Sequence, residues 1–165
     1  MSDEVLYGMA ERLGALLERT GECLVTAESC TAGGLAEIIT RVPGSSRWFE
    51  RGFVTYSDAA KQDLLEVDVD TLARYGAASE ETAAAMARGA LANSRAGVAV
   101  AITGIAGPEG GSPEKPVGTV CLAWLRGSGE PVVTRTVFTG GRLEVRRQAC
   151  LLALQGLIEM LEKQS

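Results

Sequence analysis

Apolar residues recur every three or four positions between residues 3 and 19, where Val5, Leu6, Met9, Leu13, Leu16 and Leu17 fall on one stripe. That period predicts an amphipathic helix. Ser2 offers a cap at its start and Gly21 a stop at its end. The short apolar run CLVTA at 23–27 reads as a buried strand. Helical spacing returns over 32–41 through Leu35, Ile38, Ile39 and Val42, until PGSS at 43–46 breaks it. GFVTY at 52–56 predicts a second strand, and Ser57 can cap a helix running to about Leu65.

The second half repeats the alternation and then departs from it. A helix is predicted over 80–93, with Ser79 as cap and Glu80 and Glu81 matching its positive end. GVAVAIT at 97–103 is a third buried strand, followed by a Gly- and Pro-rich loop at 104–116. Segments 118–126 and 131–138 read as strands of a hairpin joined through GSGE, and a last helix covers 142–163. Strands alternating with helices predict a three-layer α/β/α sandwich, one domain over residues 4–163. The hairpin forces at least one antiparallel pair, so the sheet is expected to be mixed but mostly parallel.

Composition narrows the chemistry. The 165 residues suffice for one self-supporting core, and 46% are hydrophobic, yet no apolar run approaches a membrane span. Early acids in MSDEVLYGMAERLG argue against a secretion signal. Cys23, Cys30, Cys121 and Cys150 are scattered, with no metal or redox spacing, which points to a reduced, cytoplasmic setting. A net charge of −5 without a basic run argues against nucleic-acid binding. The chain contains no histidine. A Ser-His-Asp or Cys-His triad within it is therefore impossible, as is a histidine-liganded metal. A hydrolytic base must come from Lys, Tyr or a carboxylate.

Three places could carry such chemistry. TAESCTAGG at 26–34 joins a strand to a helix, and its small hydroxyl residues and glycines suit either an anion seat or a plain helix cap. The third strand ends in TGIAGPEGG, where Thr103 would share an edge with Ser29 if the two strands are parallel. Tyr56 ends the second strand, Lys61 follows about one helical turn later, and Arg142 opens the last helix beside TGG. A desolvated lysine loses basicity toward neutrality and can serve as a base.

Together, TAESCTAGG, VPGSSRWFERGFVTYSDAAKQDLLEV, GAASEETAAAMARGA, AITGIAGPEGGSPEKPVGTV and GGR resemble the C-terminal domain of the competence/damage-inducible protein CinA. The resemblance runs from about Glu4 to Leu161. It implies the stand-alone form of that domain, without the additional N-terminal domain of full-length relatives. It further implies hydrolysis of the carboxamide of nicotinamide mononucleotide to nicotinate mononucleotide and ammonia, with no metal or cofactor, in a homodimer. The family's site maps onto Ser29, Thr31, Ser46, Tyr56, Lys61, Thr103 and Arg142. Three positions depart from the family's usual pattern: Asp58 for Asn, Arg51 for Gly, and Gly141 for the Asp before the arginine.

On this reading Ser46 is the preferred nucleophile, Lys61 or Tyr56 its base, and Thr103 with backbone N–H groups the oxyanion support. Ser29, Thr31, Gly33, Gly104 and Arg142 would bind substrate. One geometric difficulty stands. A right-handed β-α-β unit puts PGSS at the opposite sheet edge from Ser29. Either the second strand is antiparallel to the first, or the site is shared between subunits, or Ser29 is the nucleophile. The competing class is a catalytically silent nucleotide-binding module linked to competence or DNA damage. Amide hydrolysis is expected to survive exhaustive dialysis against EDTA unchanged. Loss of activity that a divalent ion restores would refute the metal-free reading.

Overall fold

The computed structural model describes residues 2–163. Five strands, β1 (Leu24–Glu28), β2 (Phe49–Val54), β3 (Val98–Gly104), β4 (Thr119–Arg126) and β5 (Val132–Val137), form one sheet in the order β2-β1-β3-β4-β5. The helices among the described residues are α1 (Asp3–Thr20), α2 (Gly34–Thr40), α3 (Asp58–Leu65), α4 (Val69–Tyr75), α5 (Glu80–Ala92) and α6 (Arg142–Glu162). A single 3₁₀ turn, Ser45–Arg47, precedes β2. β1 pairs in parallel with both β2 and β3, whereas β4 is antiparallel to β3 and to β5. Four strands therefore run one way and β4 alone opposes them. This is the mixed, mostly parallel α/β/α sandwich that the alternation predicts.

Strand residues alternate between two cores. Leu24, Val98, Val100, Ile102, Val120, Leu122 and Trp124 face α1, α2 and α6. Val25, Ala27, Ala99, Ala101, Cys121 and Ala123 face α3, α4 and α5. The second face is lined by small side chains, so α5 lies close to the sheet through Ala83, Met86, Ala87 and Ala90. Trp48 and Trp124 fill the thicker layer, each against a glycine that leaves room for an indole: Gly14 for Trp48 and Gly156 for Trp124. The Trp124 indole N–H donates to the Ala153 carbonyl at 3.0 Å, which satisfies its buried polar end.

Helix starts follow the cap chemistry. The Ser2, Ser57 and Ser79 hydroxyls accept from the amides of Val5, Ala60 and Thr82. Gly21 closes α1 in the left-handed conformation at φ 72°. Two elements differ from expectation. β2 begins at Phe49 rather than at 52, because its register pairs Phe49 with Leu24, and Tyr56 lies beyond the strand. The helix α4 had no periodic signal: Leu72 is its one buried residue, and the Asp68 carboxylate caps it through the Asp70 amide. Among the described residues no helix is long and apolar enough to cross a membrane.

The closest backbone approach on the small-residue face is Gly89, where an added Cβ would sit 1.9 Å from the Leu65 carbonyl oxygen. Gly89→Ala is expected to destabilise the fold by about 1–3 kcal/mol in urea titration, because a backbone atom cannot step aside. Gly8→Ala is the control. That exposed glycine of α1 has open space around it. There the substitution should stabilise by about 0.5–1 kcal/mol. Equal effects of opposite expectation would sink the packing argument.

Candidate active site

β1, β2, β3 and β5 all end at one edge of the sheet, and the side chains that could do chemistry collect there. Ser29 directly follows β1, and its amide donates to the Ile102 carbonyl of β3 at 2.9 Å. From the other side, the Thr55 amide donates to the Glu28 carbonyl at 2.9 Å, which ties the β2–α3 connection to the end of β1. Lys61, on α3, is thereby carried under Ser29. Its ammonium donates to Ser29 Oγ at 3.0 Å and to the Thr55 carbonyl at 2.9 Å, with a longer contact to the Tyr56 carbonyl at 3.5 Å.

Ser29 is 6% exposed and Lys61 1%. Burial pushes the Lys61 ammonium below the ordinary lysine range, and the Asp58 carboxylate partly opposes that shift. A buried amine of lowered basicity, in contact with a hydroxyl, is a base–nucleophile pair that needs no histidine.

A cavity of about 220 Å³ opens over this pair, walled by Cys30, Tyr56, Thr103, Gly104, Ala106 and Arg142. Arg142 spans its mouth, donating to the Gly107 carbonyl at 2.8 Å and to the Tyr56 hydroxyl at 3.2 Å. Thr103 is buried and its hydroxyl donates to the Ala77 carbonyl at 2.8 Å, so its proton is already committed. Gly104 lets β3 and β4 approach, since a Cβ there would lie 2.5 Å from the Thr119 carbonyl oxygen. The Cys30 thiol is pushed up to about 12 by burial, which leaves it protonated and inert. A larger groove of about 340 Å³ near Trp124, Val132 and Met160 holds no nucleophile–base pair.

Two expectations require correction. Ser46 is exposed in the 3₁₀ turn that precedes β2, at the amino-terminal edge of the sheet. Because β1 and β2 are parallel, the length of β1, about 16 Å at the usual rise, separates it from Ser29. Within one chain Ser46 cannot meet Lys61, and the antiparallel alternative for the second strand is removed. The second correction concerns the anion seat in TAESCTAGG. The Glu28 carboxylate fills it, accepting from Thr31 Oγ1 at 2.6 Å and from the amides of Leu35 and Ala36 at 2.9 and 3.0 Å. Thr31 and Gly33 therefore serve the turn and lie outside the cavity wall, while Ser29, Gly104 and Arg142 do line it. Glu28 went unread in the sequence because its partners lie three to eight residues onward. Its signal was an acid ending a wholly buried strand.

An α/β sandwich with a buried Ser–Lys pair at its carboxyl edge defines a class, and comparison supplies the family. The family model for the CinA C-terminal domain matches residues 6–161, and the chain belongs to that family. It is 52% identical over 157 residues to the nicotinamide-nucleotide amidohydrolase PncC of Escherichia coli, covering 95% of each chain. Identity to the PncC of Pseudomonas putida is 54% over 153 residues, covering 92% of this chain and 94% of the relative. Among solved structures, the competence/damage inducible protein CihA from Agrobacterium tumefaciens superposes with a TM-score of 0.93 at 44% identity, covering 98% and 97% of the two chains.

The chain has three lysines, so their Cε signals are separable by NMR. Lys61 is expected to titrate below the ordinary lysine range. Asp58→Asn should move its midpoint lower still, because the lost carboxylate was favouring the charged form. A midpoint that rises in the variant would overturn the electrostatic account of this site.

Proposed function

We propose that the protein is a nicotinamide-nucleotide amidohydrolase that releases ammonia from nicotinamide mononucleotide, leaving nicotinate mononucleotide, and that Ser29 is its nucleophile. The observation that carries the mechanism is the 3.0 Å contact between Lys61 Nζ and Ser29 Oγ in a buried pocket. The relatives' activity and the close identity carry the substrate class.

The neutral Lys61 amine accepts the Ser29 hydroxyl proton as Oγ attacks the carboxamide carbon. The tetrahedral oxyanion is assigned to main-chain N–H groups of the turn that follows Ser29, since the Thr103 proton goes to Ala77. Lys61 then returns the proton to the leaving nitrogen. The C–N bond breaks, ammonia departs and an ester to Ser29 remains. Water attacks that ester, giving up its proton through Lys61 to Ser29 Oγ and freeing the carboxylate product. In this reading Arg142, which lies at the cavity mouth beside Tyr56, meets the substrate's phosphate. No cofactor enters these steps.

A cytoplasmic site of action is part of this reading, supported by four free cysteines. So is a homodimer, supported by the open edge of β2 and by the exposed Val54 and Tyr56 near the site. The net charge of −5 favours a small-molecule partner over nucleic acid.

Ammonia release from nicotinamide mononucleotide tests the activity, and two serine variants test the mechanism. Ser29→Ala should be inactive at saturating substrate, a fall of roughly 10⁴-fold or more. Ser46→Ala should keep kcat within about threefold, since a residue outside the reacting unit leaves the chemical step alone. The reverse outcome would return the nucleophile to Ser46 and require the site to be shared between subunits.

A further inference from the structure

We infer that Glu28 is a positioning residue for catalysis: its buried carboxylate clamps the reversal of the chain after Ser29 and so aims the serine hydroxyl at Lys61. This rests on the assignment of Ser29 as nucleophile.

Glu28 ends β1 and is 1% exposed. Its hydrogen-bond donors are all neutral: Thr31 Oγ1, the Leu35 amide and the Ala36 amide. A buried carboxylate is tolerated only when its lone pairs are filled, so the acid and the backbone around it hold each other in place. The three donors lie on both sides of a sharp reversal. Ala32 has φ 48° and Gly33 has φ 95°, both in the left-handed region. An alanine does not choose that conformation unaided, and something must hold it there. Gly33, the residue that opens α2, has no side chain to cap it, so the carboxylate from β1 takes the place of a cap. From the opposite side, Arg146 of α6 donates to the Thr31 carbonyl at 3.0 Å.

Ser29 sits between these anchors. Its amide is tied to β3 through Ile102, and its carbonyl accepts from the Ala32 amide at 3.0 Å. The reversal thus pins the carbonyl side of Ser29, and Glu28 pins the reversal. Glu28 does not line the cavity, so it acts through Ser29 and not on substrate. A glutamine at this position would turn its carboxamide NH₂ toward one of the backbone amides, donor against donor. The clamp would then release and Ser29 Oγ would drift from Lys61.

The test compares wild type, Glu28→Gln and Glu28→Asp by three measurements: thermal unfolding, the rate of Ser29 labelling by a small phosphonofluoridate that requires no nucleotide, and kcat and KM for nicotinamide mononucleotide. Glu28→Gln should remain folded. Its labelling rate and kcat should fall together by roughly 10²-fold, as a misplacement of about an ångström does, with KM moved less than about threefold. Glu28→Asp, which keeps the charge one methylene short, should fall between. Labelling of Glu28→Gln at the wild-type rate would overturn the inference, as would a change confined to KM. If Glu28→Gln does not fold, Thr31→Val removes one donor alone. It should slow labelling several-fold without raising KM, and unchanged labelling or a pure rise in KM overturns the inference instead. A wild-type protein not labelled at Ser29, read by peptide mass, would sink the nucleophile assignment and this inference with it. A labelled wild type with an unaffected variant sinks the inference alone.

Discussion

The site depends on burying one ammonium group at the edge of a sheet. A lone buried charge costs several kcal/mol, and the protein meets that cost with local acceptors instead of an ion pair. The Thr55 carbonyl and Ser29 Oγ accept hydrogen bonds from the Lys61 ammonium, Thr55 lying just past the end of β2 and Ser29 just past the end of β1. An ion pair would have kept the lysine charged. Neutral acceptors leave desolvation as the dominant influence, and desolvation favours the free amine that a base requires. The bend at residues 55–57, the Ser57 cap of α3 and the amide of Thr55 on the Glu28 carbonyl all serve to put this amine where it is.

Strand direction does the rest of the assembly. Because β1, β2, β3 and β5 run the same way, their ends deliver Ser29, Tyr56, Gly104 and Arg142 to a single edge. No one segment contains the site. The helices that follow β1, β2 and β5 each contribute something different: α2 donates amides to the Glu28 carboxylate, α3 carries Lys61, and α6 places Arg142 over the mouth and Arg146 behind the turn. The two cores keep these layers in register, with large side chains on one face of the sheet and small ones on the other.

Much of this was legible in the sequence, and the failures have one cause. Helix starts at Ser2, Ser57 and Ser79 could be read because a cap and its amide lie within three residues. The layers could be read because alternation is a local property. Lys61 and Ser29 were each visible as candidates, but their contact spans 32 positions and depends on β2 being parallel to β1. Local pattern does not carry that direction, and so it leaves Ser46, in its tight bend after a glycine, and Ser29 as rival partners for the lysine. The anion seat failed for a related reason. The backbone amides were identified correctly as an acceptor's berth, but the occupant was the protein's own carboxylate. An acid at the end of a buried strand, with small residues after it, is the pattern that betrays such an occupant.

The lone reversed strand has a further consequence. Since β4 opposes its neighbours, the connection from β3 must turn around at the reactive edge, and it does so through residues 105–118. The Gly107 carbonyl on that connection holds one arm of Arg142. Beyond the last ladder pair, Gly104 with Val120, the pairing runs on into the connection: the Ile105 amide donates to the Thr119 carbonyl and the Gly118 amide to the Ile105 carbonyl, each at 2.8 Å. The doorway to the cavity is therefore tied to the same sheet edge as the Ser29–Lys61 pair below it. A change in the length of this connection would move the Gly107 carbonyl, and with it the hold on Arg142, so the entrance and the strand ends answer to each other.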